Sequence, residues 1–343
     1  MSTAMLVFAG ALVFAIGGTP LARYIAPRLG VMDQPSARKV HTKPVPLLGG
    51  VAIFGAVMLA LIFLGEKRNV DQFVSILLAA SLVSFLGLWD DRWGLGPAPK
   101  LLGQFLAALL LVMSGIHVAL PYTPAWVDIA ITLLWLVGVT NAFNLLDNMD
   151  GLSGGIAAIA ATFFLLMSAF SGQYLVGALS AAVLGACIGF LIYNLNPASI
   201  FMGDSGALFL GFLLAAIGIK LRFPDNVTFV TWMIPVLVLG VPLFDTTLVI
   251  ISRLRRGLNP LTTPGKDHVS HRLVAMNMTQ REAVLTLNLV GGALGVIAIF
   301  VTQASVFEGY IAGALVVLAA LYALWHLERD WVRRKKQAPT GEA

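Results

Sequence analysis

Five short stretches hold the residues able to do chemistry: Asp33 to Lys43, Asp90-Asp91, Asn141 to Asp150, Asn194 to Asp204, and Asn259 to Arg272. Asp and Asn oxygens are hard donors suited to Mg²⁺, an ion that takes one or two carboxylates together with substrate phosphates. Lys43, Lys100, His268, His271 and Arg272 supply cationic or hydrogen-bonding groups for further phosphate oxygens. That donor set points to Mg²⁺-assisted phosphoryl transfer between a nucleotide-linked donor and a lipid acceptor. Zinc chemistry lacks its ligands, because no cysteine pair or HExxH occurs and His268-x-x-His271 is a single pair. No GxxxxGK[ST] loop is present. The one cysteine, Cys187, sits in an apolar run and offers neither a disulfide nor a metal cluster.

Structural roles compete for the same carboxylates. Asp150 and Asp204 each precede an apolar run, where an aspartate can cap a helix and meet its positive end. Asp90 and Asp91 close such a run instead, where the helix dipole disfavours anions and the two charges repel. Helix structure alone gives no reason for that pair. Asp245, inside an apolar run, is expected to face the protein interior or a wet cavity.

The elements that must position these residues are set by composition. Of 343 residues, 58% are hydrophobic and only 11% charged, and the mean hydropathy is +0.88. A soluble domain carries about 25% charged residues. The chain therefore belongs in a bilayer, as a polytopic all-α protein, and its +5 charge is no sign of nucleic-acid binding. Apolar runs at about 4–22, 47–65, 70–89, 101–118, 126–143, 153–171, 173–193, 205–222, 228–251, 283–303 and 307–326 predict eleven transmembrane helices. With the N-terminus outside, eighteen Lys and Arg fall on inner segments and four on outer ones. The N-terminus is thus expected to be periplasmic and the C-terminus cytoplasmic. No linker, repeat or cleavage site divides the chain, so residues 1–343 read as one domain, with a basic cytoplasmic tail at 327–343.

On that layout every polar stretch falls on the inner side, while the outer loops are short. A transporter or flippase places carboxylates near the bilayer midplane. Here they collect at one face, as an enzyme acting at the cytoplasmic surface requires.

Taken in order, the motifs resemble a known family. They are His41-Thr-Lys-Pro-Val-Pro-Leu-Leu-Gly-Gly50, Leu88-Trp-Asp-Asp-Arg-Trp-Gly-Leu95 with Lys100-Leu-Leu-Gly-Gln104, Asn141-Ala-Phe-Asn-Leu-Leu-Asp-Asn-Met-Asp-Gly-Leu152, Asn194, Phe201-Met-Gly-Asp-Ser-Gly206 and Asp267-His-Val-Ser-His-Arg272. The order is similar to that of the polyprenyl-phosphate N-acetylhexosamine-1-phosphate transferases. The resemblance implies transfer of a sugar-1-phosphate from a UDP-sugar to undecaprenyl phosphate, with release of UMP and dependence on Mg²⁺ (Mn²⁺ being a possible substitute). It implies that Asp204 is the main metal ligand, with Asn144 or Asp147 completing the protein ligation. It places Asp90 and Asp91 near the lipid phosphate, one of them as base, and Lys100 on a phosphate. Asp150, Asn194 and Phe201 would form the uridine side, and His268, His271 and Arg272 would lie over the diphosphate and sugar. Ser270 stands where the common His-x-His-His pattern has its middle histidine.

That departure bears on the sugar. The peptidoglycan branch, which handles UDP-MurNAc-pentapeptide, typically carries three histidines in this loop. Two histidines followed by Arg272 are closer to the branch that uses UDP-GlcNAc to start O-antigen, enterobacterial common antigen or teichoic-acid linkage units. A guanidinium offers several fixed donors to sugar or diphosphate oxygens. UDP-GlcNAc and undecaprenyl phosphate are therefore the expected substrates, with phospho-MurNAc-pentapeptide transfer as the alternative. Gly177, Ala181, Gly185 and Gly189 allow close helix packing, within the chain or in a homodimer.

Overall fold

A computed structural model of the protein describes residues 2–35, 43–65, 70–224, 226–260, 263 and 265–337. It is mostly helical. In chain order the elements are α1 (Ser2–Leu29), strands β1 (Met32–Asp33) and β2 (Val45–Pro46), α2 (Gly49–Leu64), α3 (Val70–Trp93), α4 (Pro97–Met113), α5 (Ala125–Leu146), α6 (Leu152–Phe170) and α7 (Tyr174–Asn194). There follow α8 (Gly203–Lys220), α9 (Thr228–Thr231), α10 (Met233–Val238), α11 (Gly240–Arg255), α12 (Val269–Ala275), α13 (Gln280–Gln303) and α14 (Val306–Gln337). The two strands pair antiparallel, Met32 opposite Pro46 and Asp33 opposite Val45.

Among the described residues, eight helices are long and apolar enough to cross a membrane, and a bent pair makes a ninth if counted as one span. The chain is a multi-pass membrane protein. Each of the eleven expected apolar runs falls on a helix or on that bent pair, with α2 and α4 shorter than the rest. The run at 228–251 is not the single straight helix expected. It bends by 75° between Val238 and Gly240, just where Pro242 has no N–H to give the Val238 carbonyl. The expected tail also differs: residues 327–337 continue α14 as helix, and Leu327 and Glu328 are buried.

α8 is the central post. Nearly all of its residues from Gly203 to Ile219 are buried, and it packs against α3, α5 and α2 with α6 and α7 behind. Glycine permits the closest approach: a Cβ on Gly50 of α2 would run into the Gly206 amide of α8. The small residues of α7 are used inside the chain. Gly185 and Gly189 lie against the α1 backbone at Phe8 and Leu12, and Gly177 against Ser168 of α6. That packing gives the stripe an intramolecular purpose.

Candidate active site

The C-terminal ends of α3 and α5 and the N-terminal ends of α4 and α8 converge around one ammonium group. Lys100, in the first turn of α4, donates to Asp90 at 2.7 Å and also to Asp204. The second oxygen of Asp204 accepts from Asn144 Nδ2 at 2.8 Å. The second oxygen of Asp90 accepts the Leu95 amide, closing the turn between α3 and α4. One lysine thus ties together three segments that are far apart in sequence.

Asp91 has a different task. Its two oxygens accept the main-chain N–H groups of Asp204 and Ser205 at 2.8 and 3.0 Å. The first amides of a helix have no partner within it, so Asp91 caps α8 from the end of α3. The aspartate pair that helix structure alone could not explain therefore has a structural half. Gly203 makes the approach possible. Its φ is +72°, and a Cβ there would stand 2.7 Å from the Asp91 carboxylate. Asp204, one of the expected caps, makes no side-chain cap on its own helix.

Asp150 is not a cap either: α6 starts after Gly151 without a side-chain cap bond. The Asp150 carboxylate instead accepts from the Ala198 amide at 2.9 Å and from Asn196 Nδ2 at 3.0 Å. Asn194 is 5% exposed, with Oδ1 accepting the Gly151 amide and Nδ2 donating to the Ile200 carbonyl, both at 3.0 Å. These bonds hold the loop before α6 against the loop after α7. Phe201 is fixed through its main chain, its amide donating to Pro46 and its carbonyl accepting from Gly49. Asn194 serves as a brace for this rim.

Asp147 follows the last residue of α5 and is half-buried. Burial, together with the negative charges of Asp204, Asp91 and Asp150, pushes its carboxyl up to about 8. Such a pocket of acids relieved by a single lysine is a place where a cation lowers the energy. Among the described residues no three His, Cys, Asp or Glu side chains converge as a ready-made cage. Asp204, Asn144 and Asp147 are the oxygen donors here that could hold Mg²⁺ together with substrate phosphates.

The last motif is braced from both sides. His268 is 6% exposed; its Nδ1 lies 2.8 Å from Asp245 Oδ2, and Asp245 Oδ1 accepts the Val269 amide at 2.7 Å. Asp245 faces inward, as its place in an apolar run suggested. Burial alone would raise Asp267, but the guanidinium groups of Arg253 and Arg256 hold it far below the usual carboxylate range. Burial pushes His271 down to about 4, helped by His268 and Lys266, so its ring is a weak base that is neutral near pH 7 and can accept a hydrogen bond. The two imidazoles stand 6.2 Å apart. Ser270, at the departure from the three-histidine pattern, donates to Asn148 Oδ1 at 2.6 Å and so joins α12 to the loop that carries Asp147.

Arg272 is paired within the protein. It is 2% exposed and turns away from the acidic cluster, with Nη1 on Glu328 at 2.7 Å and Nε on the Asp267 carbonyl at 2.8 Å. These contacts tie the guanidinium to α14 and to the main chain just before His268. Lys43 is exposed on the approach to β2, and His41 lies outside the described residues. Sequence reasoning missed Asn148, Asn196 and Glu328. Asn148 and Asn196 lay within polar stretches already singled out, but nothing in the pattern set Glu328 apart in a basic segment.

Residues 73–222 match the family described as glycosyl transferase family 4. A protein of Bacillus subtilis (strain 168), named as a probable undecaprenyl-phosphate N-acetylglucosaminyl 1-phosphate transferase, is 36% identical over 84% of this chain and 82% of its own. The decaprenyl-phosphate N-acetylglucosaminephosphotransferase of Mycolicibacterium smegmatis (strain ATCC 700084 / mc(2)155) is 31% identical over 90% of this chain and 84% of its own. The undecaprenyl-phosphate alpha-N-acetylglucosaminyl 1-phosphate transferase of Yersinia pestis is 27% identical over 93% and 90%. With the motif order, the Lys100-centred cluster and these relatives in agreement, the chain belongs to glycosyl transferase family 4, among the polyprenyl-phosphate N-acetylhexosamine-1-phosphate transferases.

Proposed function

We propose that the protein transfers N-acetylglucosamine-1-phosphate from UDP-GlcNAc to undecaprenyl phosphate, giving undecaprenyl-diphospho-GlcNAc and UMP. The observation that carries this reading is the Lys100 bridge between Asp90 and Asp204, in a cluster of acids at one end of the bundle. The relatives' names supply the sugar and the lipid.

In this reading a lipid-phosphate oxygen attacks the phosphorus next to the sugar. The bond from that phosphorus to the bridging oxygen breaks, and the electron pair leaves on UMP. The lipid phosphate is mostly ionised at neutral pH, with a second pKa near 6 as in other phosphomonoesters. Positioning and charge neutralisation therefore matter more than deprotonation. Asp204, Asn144 and Asp147 would hold Mg²⁺, which neutralises diphosphate charge and stabilises the leaving group. Lys100 offers its ammonium to the phosphates, and Asp90 keeps it in place. Asp91 acts by holding the first turn of α8 and hence the Asp204 main chain. His268 and His271 face the transferred group, with His268 oriented by Asp245. Asp150, Asn194 and Phe201 shape the rim on the uridine side.

The same reading has eleven spans in one domain, the N-terminus periplasmic, and the site formed by loops on the cytoplasmic side of the bacterial inner membrane. The charge asymmetry supports it, as does the gathering of the polar stretches at one end of the bundle. Mass spectrometry of the lipid product formed by the purified protein from undecaprenyl phosphate, UDP-GlcNAc and Mg²⁺ tests the reaction. A product with the mass of undecaprenyl-diphospho-GlcNAc supports it, and absence of any lipid-linked product refutes it.

A further inference from the structure

We infer that Glu328, on the C-terminal helix, is a positioning residue for the histidine segment and acts through Arg272. The inference rests on the proposed transfer reaction for its kinetic readout only. Most of α14 lies at the edge of the bundle, with residues such as Leu315, Leu318 and Leu321 exposed. Its inner end is different. There Leu327 and Glu328 are buried, Glu328 at 3% exposure, and they meet Arg272 from α12. Arg272 Nη1 bonds Glu328 Oε2 at 2.7 Å and the Leu327 carbonyl at 3.2 Å. The guanidinium also stands 5.3 Å from the Trp331 ring.

The consequence runs through the other side of the same guanidinium. Arg272 Nε donates to the Asp267 carbonyl at 2.8 Å, the peptide group immediately before His268. A planar guanidinium held at one edge by a carboxylate presents its remaining donors in a fixed direction. Glu328 therefore sets where Arg272 points, and Arg272 sets where the chain enters α12. Asp245 of α11 grips His268 from another direction, and Ser270 carries the placement on to Asn148 beside Asp147. A buried ion pair is weak evidence for stability, since its desolvation cost can match its attraction. What this pair supplies is direction: it joins the C-terminal helix to the segment carrying both histidines.

The test compares wild type, Glu328→Gln, Arg272→Ala and the Glu328→Gln/Arg272→Ala double variant, all in detergent with melting temperature recorded. Steady-state kinetics follow UMP release, and hydrogen exchange is read over residues 265–275. Expected for Glu328→Gln, which keeps shape and loses charge, is a kcat at least about tenfold lower with KM values within about threefold of wild type. Exchange in 265–275 should rise while that of α8 stays protected. The double variant should fall no further than the worse single one, because both substitutions break one connection. A Glu328→Gln protein with wild-type kcat and wild-type exchange overturns the inference, as does a double variant whose loss is the product of the two single losses. Exchange does not depend on the donor's identity. Raised exchange in a protein whose wild type releases no UMP from UDP-GlcNAc would therefore fault the substrate reading and leave the positioning role standing.

Discussion

The carboxylate of Asp91 accepts the main-chain amide of Asp204 at 2.8 Å, so one acid of the site is held in place by another 113 residues earlier. The capped end of α8 thereby sits next to the Lys100 bridge, and any shift at Asp91 is passed to Asp204. Replacing Asp91 with Ala should destabilise the protein by about 1–2 kcal/mol, the usual loss for a helix cap, and lower turnover as well. Asp91→Asn keeps one acceptor and should retain more of both. Thermal melts alongside UMP-release assays check this; an Asp91→Ala protein with wild-type melting and turnover would remove the cap from the account.

Asp204→Asn should fold normally and lose turnover by about 10³-fold or more, since a charged ligand of the metal and diphosphate becomes neutral. Lys100→Ala should also lose most activity, because Asp90 and Asp204 would then face each other without their shared cation. Isothermal titration with Mg²⁺ in the presence of UDP-GlcNAc separates a binding defect from a chemical one. Tight Mg²⁺ binding by a folded, active Asp204→Asn protein would remove Asp204 from the metal site.

Two groups outside the membrane-spanning helices are moved in opposite directions and contribute to the pH dependence. Asp147 has its pKa raised from 3.8 to about 8, so between those values the folded protein holds a proton that the unfolded chain releases. Its contribution to stability therefore falls as pH rises through that window. His271 is lowered from 6.5 to about 4, so its contribution is lost as pH falls through that lower window. Above about pH 6.5 only the Asp147 effect remains of these two. In EDTA the melting temperature of the wild type should drop between pH about 6.5 and 8. Asp147→Asn should flatten that drop, and Mg²⁺ should flatten it in the wild type by favouring the ionised carboxylate. An unchanged slope in Asp147→Asn would contradict the buried-acid assignment.

Asp245→Asn should lower kcat by about 10²-fold, because an amide at that position no longer fixes the tautomer and orientation of His268. Melting should change much less than turnover, and equal loss of both would reduce Asp245 to a core residue.

The arrangement about the membrane is checked by introduced cysteines. The native Cys187 is buried, so single cysteines at positions 147 and 268 report against a quiet background. An impermeant thiol reagent added from the periplasmic side should leave both unmodified, and modification of either would reverse the orientation.

Much of this architecture was legible because a bilayer makes hydropathy decisive: each apolar run found a helix or the bent pair. The 75° bend was foreshadowed only by Pro242, whose effect on a helix depends on where the freed carbonyl can turn. Asp90, Asp204 and Lys100 were legible as polar groups at the ends of apolar runs. Their union on one ammonium was not, since it depends on tertiary packing of α3, α4 and α8. The partner of Arg272 was hidden for a related reason. A sequence shows that a guanidinium is nearby but not which carboxylate takes it, and Glu328 lies 56 residues further on. Asn194 likewise looked like a ligand-binding amide but satisfies two buried backbone groups.

The donor taken at this site decides its product. The most direct measurement is UMP release by the purified protein with undecaprenyl phosphate and Mg²⁺, supplied in parallel with UDP-GlcNAc or UDP-MurNAc-pentapeptide. The account predicts rapid release from UDP-GlcNAc that depends on both lipid and Mg²⁺, and little from the peptide-bearing donor. Efficient turnover of UDP-MurNAc-pentapeptide with UDP-GlcNAc ignored would contradict it.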